Sequence, residues 1–85
     1  MMGTTNIIKL EDGKKGDMIR ITSIQLEGVM RRRLLDLGFV KDALVEVVRK
    51  SPLGDPIAFR VSQTIIALRK EESSKIEGEL VNDEK

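Results

Sequence analysis

The segment from Leu26 to Gly38 constrains the fold more than any other. Leu26, Met30, Leu34 and Leu37 fall in one stripe at helical periodicity, and Gly38 follows where a helix closes in left-handed geometry. Glu27 and Gly28 stand near its start, without a good Ser or Thr cap. Elsewhere the apolar residues come in short runs of period-two character, set apart by turn residues. Ile19 and Ile21 alternate with Arg20 and Thr22 across Asp17–Ile24, after a polar loop with two glycines, Asp12-Gly13-Lys14-Lys15-Gly16. Ala43–Lys50 alternates at Val45, Glu46 and Val47, and Ser51-Pro52-Leu53-Gly54-Asp55-Pro56 then breaks the chain. Ile57–Val61 and Thr64–Arg69 read as two more strands. They meet at Ser62-Gln63, which lack the Asn or Gly of a tight primed turn and predict a connection longer than two residues. Lys70–Lys75 can form one helical turn and Lys75–Val81 a last strand. Ile7, Ile8 and Leu10 add an N-terminal segment that packs on the barrel or pairs at its edge.

These elements predict a mostly-β fold: a small, closed, largely antiparallel barrel with one inserted α-helix and a short second helical turn. Closure suits a chain this short, which has little else with which to hide strand edges. The expected organisation is one domain over residues 1–85, with a core at about 7–81 and a frayed acidic tail at 82–85.

Composition bears on function through its absences. The 85 residues include no Cys, His, Trp or Tyr, and two aromatics, Phe39 and Phe59. No disulfide can form, which fits a reducing cytosol. The usual ligands of zinc and copper are missing, as are Ser–His and Cys–His nucleophile pairs and the commonest general base near neutral pH. No calcium-loop spacing and no glycine-rich phosphate loop is present. The expectation is a cytoplasmic non-enzyme with no cofactor and no resident metal. No apolar run reaches membrane-spanning length.

Charge is unevenly placed. Residues 1–70 carry 13 Lys and Arg against 8 Asp and Glu, whereas residues 71–85 carry 2 against 6, which together give the net +1. The acidic end opposes nucleic-acid attraction, and no aromatics interleave with the basic residues to stack on bases. Arg31-Arg32-Arg33 is the most conspicuous run. Successive helical residues lie about 100° apart, so the three fan around the helix instead of forming one patch. Arg31 and Arg33 flank the core stripe and Arg32 faces solvent. Their stems can cover the core edge or their heads can meet a partner. Arg32 and Asp36 are also spaced for an i,i+4 pair. Leu35 falls on the otherwise polar face beside Arg31 and Arg32. Either another segment covers it or it is a protein-contact spot. The Pro52–Pro56 loop is a connector or a stiff recognition loop presenting Leu53.

Taken in order, Arg32-Arg33-Leu34-Leu35-Asp36-Leu37-Gly38-Phe39, Val45-Glu46-Val47-Val48, Ser51-Pro52-Leu53-Gly54-Asp55-Pro56-Ile57 and Ile66-Ala67-Leu68-Arg69-Lys70-Glu71-Glu72 resemble the FeoA family, ferrous iron transport protein A. That domain is also similar to the C-terminal domain of DtxR-type metal-dependent regulators. The resemblance spans about residues 7–81. It implies an SH3-like β-barrel and a cytosolic accessory protein of FeoB, the membrane ferrous iron transporter. Arg33, Leu34 and Gly38 match the family's helix motif, and Pro52, Leu53, Gly54 and Pro56 its loop motif. Two places depart from it: Lys41-Asp42 stands where Pro-Gly is common, and Ser62-Gln63 where a Gly-containing hairpin is usual.

The resulting expectation is a protein that acts by contact with an FeoB-like transporter. Its contacts are assigned to Arg31, Arg32 and Leu35 on the helix and to Leu53, Gly54 and Asp55 on the loop. Gly38, Pro52 and Pro56 are assigned to structure. The alternative is a stand-alone SH3-like regulatory module of a metal-dependent transcription regulator. Such a module would reach DNA only through its partner, since the chain has no helix-turn-helix of its own.

Overall fold

The computed structural model describes residues 7–81, so the expected frayed tail at 82–85 lies outside the described residues. The elements are β1 (Ile7–Lys9), a 3-10 turn (Leu10–Asp12), β2 (Met18–Ile24), α1 (Gly28–Leu37), β3 (Leu44–Lys50), β4 (Ile57–Val61), β5 (Thr64–Leu68), α2 (Lys70–Ser73) and β6 (Ile76–Val81). The six strands form one antiparallel sheet in the order β1-β6-β2-β3-β4-β5. Among the described residues no ladder joins β5 to β1. The expected full closure is therefore corrected to an SH3-like sheet that curls around its core and leaves two edges unjoined. Side-chain packing between the inner faces, together with α1 and α2, encloses the core.

Period-two patterning sets which side points inward. Ile19 and Ile21 of β2, Val45 and Val47 of β3, and Ile57, Phe59 and Val61 of β4 are all buried, and each alternates with a more exposed neighbour. They pack with Leu10, Leu34, Phe39, Leu68 and Ile76 into one cluster. Phe39 meets Phe59 edge to face at 6.4 Å, the favoured geometry for an aromatic pair. Gly78 lets β6 lie close to β2. A Cβ there would come 2.5 Å from the Arg20 carbonyl oxygen and from Ile19 Cγ2, one of them backbone that cannot give way. On the outer face Glu79 and Arg20 form an ion pair, and Glu46 meets Arg60 at 2.9 Å. Hydrogen bonding to Glu79, then its negative charge, holds the Arg20 guanidinium above its ordinary value.

The helix ends as its sequence predicts. Gly38 adopts φ 110°, its N–H reaches the Leu35 carbonyl, and the Phe39 N–H reaches that of Leu34 at 3.0 Å. These are the two bonds of a Schellman motif, and Leu34 and Phe39 at its ends are both buried in the core cluster. Burial along the core stripe is uneven. Leu34 is fully buried and Leu26 and Leu37 pack against the core, whereas Met30 is half-buried. Arg32 and Asp36 form no ion pair; Arg33 instead faces Glu72 of α2 at 3.6 Å.

The β4–β5 connection is a second correction. Val61 pairs directly with Thr64, so the turn has two residues, with Ser62 at φ 52° and Gln63 at φ 66°. This is the primed-turn conformation that usually takes Asn or Gly. Five consecutive cross-strand pairs hold it there despite a local cost of order 1–2 kcal/mol per residue. At the other departure, Asp42 takes φ 74°, a left-handed conformation that a short polar side chain tolerates better than most.

Candidate functional site

Two surface regions carry the candidate contact residues. The first is the flank of α1. Helical spacing sets Arg31 and Leu35 one turn apart on the same face, and the chain leaving the helix brings Lys41 back alongside them. With Ile21, Thr22, Ser23 and Ile24 of β2 they line a groove of about 260 Å³. Leu35 is half-buried and lines this groove with the β2 end instead of standing free on a polar face. Arg31 and Lys41 are exposed, and neither forms an ion pair among the described residues. Arg32 is exposed and does not line this groove.

The second region is the loop between β3 and β4. Leu53 is 93% exposed at its tip. Around it the backbone is closely tied: the Gly54 N–H donates to the Ser51 carbonyl at 2.8 Å, and the Asp55 N–H to Ser51 Oγ at 3.0 Å. Gly54 has φ 82°, which glycine adopts without strain. Asp55 is half-buried, and its Oδ1 accepts the Lys70 N–H at 2.9 Å, so the carboxylate anchors the loop to the start of α2. Pro56 is exposed and lines a separate groove of about 300 Å³ with Val48, Ala58, Ile65 and Ala67; Pro52 is exposed beside Leu53.

The two grooves are lined by different residues, yet both regions are tied to α2. Glu72 accepts the Arg69 N–H through Oε1 at 2.9 Å and faces Arg33 through Oε2, while Lys70, two residues earlier, is held by Asp55. The short helix is a strut between α1 and the loop. Sequence reasoning missed Lys41 and Glu72. Lys41 meets Arg31 and Leu35, and Glu72 meets Arg33, only when distant segments come together, so no local signal announces either role. Among the described residues no group of three carboxylates could hold a metal ion.

The FeoA domain family model matches residues 8–80. The chain belongs to the FeoA family. A Porphyromonas gingivalis protein in which Fe(2+) transport protein A is fused to the Fe(2+) transporter FeoB is 36% identical over 75 residues, 88% of this chain. The matched stretch is 9% of that fusion protein's length. The solution structure of FeoA from Chlorobium tepidum is 36% identical with a TM-score of 0.83, covering 92% of this chain and 74% of that one. The zinc complex of FeoA from Stenotrophomonas maltophilia is 33% identical with a TM-score of 0.71, covering 81% and 86%. That protein is described as a prokaryotic SH3-domain protein with a candidate role as a ferrous iron transport activating factor. A manganese-dependent transcriptional repressor, 16% identical with a TM-score of 0.81 over 93% of this chain and 44% of that one, shares the fold alone. The expected SH3-like fold and membership of the FeoA family are thus borne out. Among the described residues no helix is long and apolar enough to cross a membrane.

Proposed function

We propose that this FeoA-family chain is a cytosolic, non-enzymatic accessory protein of ferrous iron uptake that binds the cytosolic portion of an FeoB-like transporter. The observation that carries the reading is the fusion: in the Porphyromonas gingivalis relative an FeoA stretch and FeoB are one polypeptide, which holds the two together permanently. The composition agrees, because a chain without His or Cys suits contact better than relaying iron from ligand to ligand.

The contact surface in this reading joins the α1 flank, with Arg31, Arg32 and Leu35, to the loop tip at Leu53. Gly54 shapes the tip, and Asp55 acts from behind it as the loop's anchor. Leu53 is suited to be the anchor residue in a partner's pocket. It sits on a loop already ordered by backbone hydrogen bonds, so little entropy is lost when it docks.

The test is titration of the purified protein into the cytosolic portion of the transporter from the same organism, with nucleotide present and absent. Saturable binding is expected, weakened by Leu53→Glu. No binding between folded partners would overturn the reading. Recovery of a transcription factor and no membrane protein in a pull-down would favour the regulatory-module alternative, which rests on the shared fold.

A further inference from the structure

We propose that the groove between α1 and the open end of β2 takes an extended, acidic peptide segment of the partner that also carries an apolar side chain. This inference rests on the accessory-protein reading and supplies the chemistry of what is bound.

The groove offers three features that one such ligand satisfies together. The first is a strand edge. β2 is paired with β3 only over Met18–Arg20, and the last backbone bonds on that side join Ile21 to Ala43 at 3.0 Å and to Asp42 at 2.7 Å. Past Ile21 the incoming chain has turned away toward Lys41. Among the described residues Ser23 and Ile24 therefore have β6 as their one strand neighbour, next to a register shift that begins at Ile21. A strand with a vacant side is a template for an added strand.

The second feature is an apolar floor made by the half-buried Ile24 and Leu35; Ile21 also lines the groove, but its side chain is fully buried in the core. A free anion gains nothing from it, whereas a leucine-sized side chain of a bound segment would be removed from water there. The third is charge. Arg31 and Lys41 border the floor, and neither is neutralised by an ion pair among the described residues; the ion pairs found use Arg20, Arg33 and Arg60. Asp42, next to Lys41 in the chain, forms no ion pair with it. Two uncompensated cations beside a strand edge favour carboxylates and repel a basic segment. Thr22 and Ser23 contribute little discrimination, since their hydroxyls are engaged with the Glu77 carbonyl and the Gln25 side chain.

The experiment follows the backbone amides of the full chain by NMR during titration with three probes. These are a blocked acidic pentapeptide, Glu-Leu-Asp-Leu-Glu; its neutral counterpart, Gln-Leu-Asn-Leu-Gln; and inorganic phosphate. The acidic peptide is expected to shift Thr22, Ser23, Ile24, Leu35 and Lys41 saturably at millimolar concentration or below. Binding should fall about tenfold for the neutral peptide and for the Arg31→Gln/Lys41→Gln protein. No shift at these amides up to about 5 mM acidic peptide would overturn the proposal. Equal binding of both peptides, or equal shifts with phosphate alone, would do the same. So would concentration-dependent shifts without any peptide, which would assign the groove to a second copy of the chain. A parallel titration with the transporter's cytosolic portion keeps the two ideas apart. If that portion binds while the peptide does not, the groove proposal fails and the accessory reading stands. If the peptide binds and that portion does not, the reverse holds.

Discussion

The α1 flank and the 51–56 loop both present leucines, but they hold them in opposite ways. Leu35 is half-buried and lines a groove together with a strand end and two cations that form no ion pair among the described residues. Leu53 stands almost wholly in solvent, and the order around it comes from hydrogen bonds behind it. A groove selects what enters it by shape and charge, whereas a projecting side chain is selected by a pocket on another molecule. In the proposed reading the α1 flank receives and the loop inserts. Both are referenced to α2, through Arg33–Glu72 on one side and Asp55–Lys70 on the other. Their relative position is consequently a property of the folded barrel and not of either segment alone.

The largest way to break this arrangement is to release α1. Leu34 is fully buried, and Leu34→Ala should cost about 3 kcal/mol in a denaturant melt, taking the groove with it. Gly38→Ala should cost about 2 kcal/mol. At φ 110° the added Cβ is strained, and it would meet Ser62 Oγ at 2.9 Å, pressing the helix end against the β4–β5 turn. A smaller loss, about 1 kcal/mol, is expected from Asp55→Ala, which leaves the Lys70 N–H without its acceptor. Hydrogen exchange should then quicken at Lys70 and at Gly54, while the amides of α1 stay protected. Leu53→Glu should leave stability within about 0.5 kcal/mol of wild type, and an equally large loss there would show the loop tip to be part of the fold and not a presented side chain. Arg32→Ala should change stability by no more than that, because the side chain is exposed and outside every ion pair among the described residues.

Local chemistry made much of the fold legible. Alternation at Ile19, Ile21, Val45 and Val47 placed β2 and β3, and the stripe ending at Gly38 placed α1 and its Schellman closure. Where local preference and pairing disagreed, pairing won. Ser62 and Gln63 carry no turn signature and yet take the primed conformation, because the β4–β5 register leaves no other connection. The candidate surface was legible only in part for the same reason. Arg31 and Leu35 share a helix face and could be read together. Lys41 reaches them through a turn in which Asp42 adopts a left-handed conformation, and no local pattern announces that. Asp55 looked like a contact residue because its acceptor role depends on Lys70, which meets it only in the folded barrel.

The most direct test of the account compares wild type, Leu53→Glu and Arg31→Glu/Lys41→Glu in titrations against the transporter's cytosolic portion, with each variant first shown to be folded. The account predicts saturable binding by wild type and about tenfold or greater weakening in each variant. Folded wild-type protein that fails to bind, or variants that bind as tightly as wild type, would contradict it.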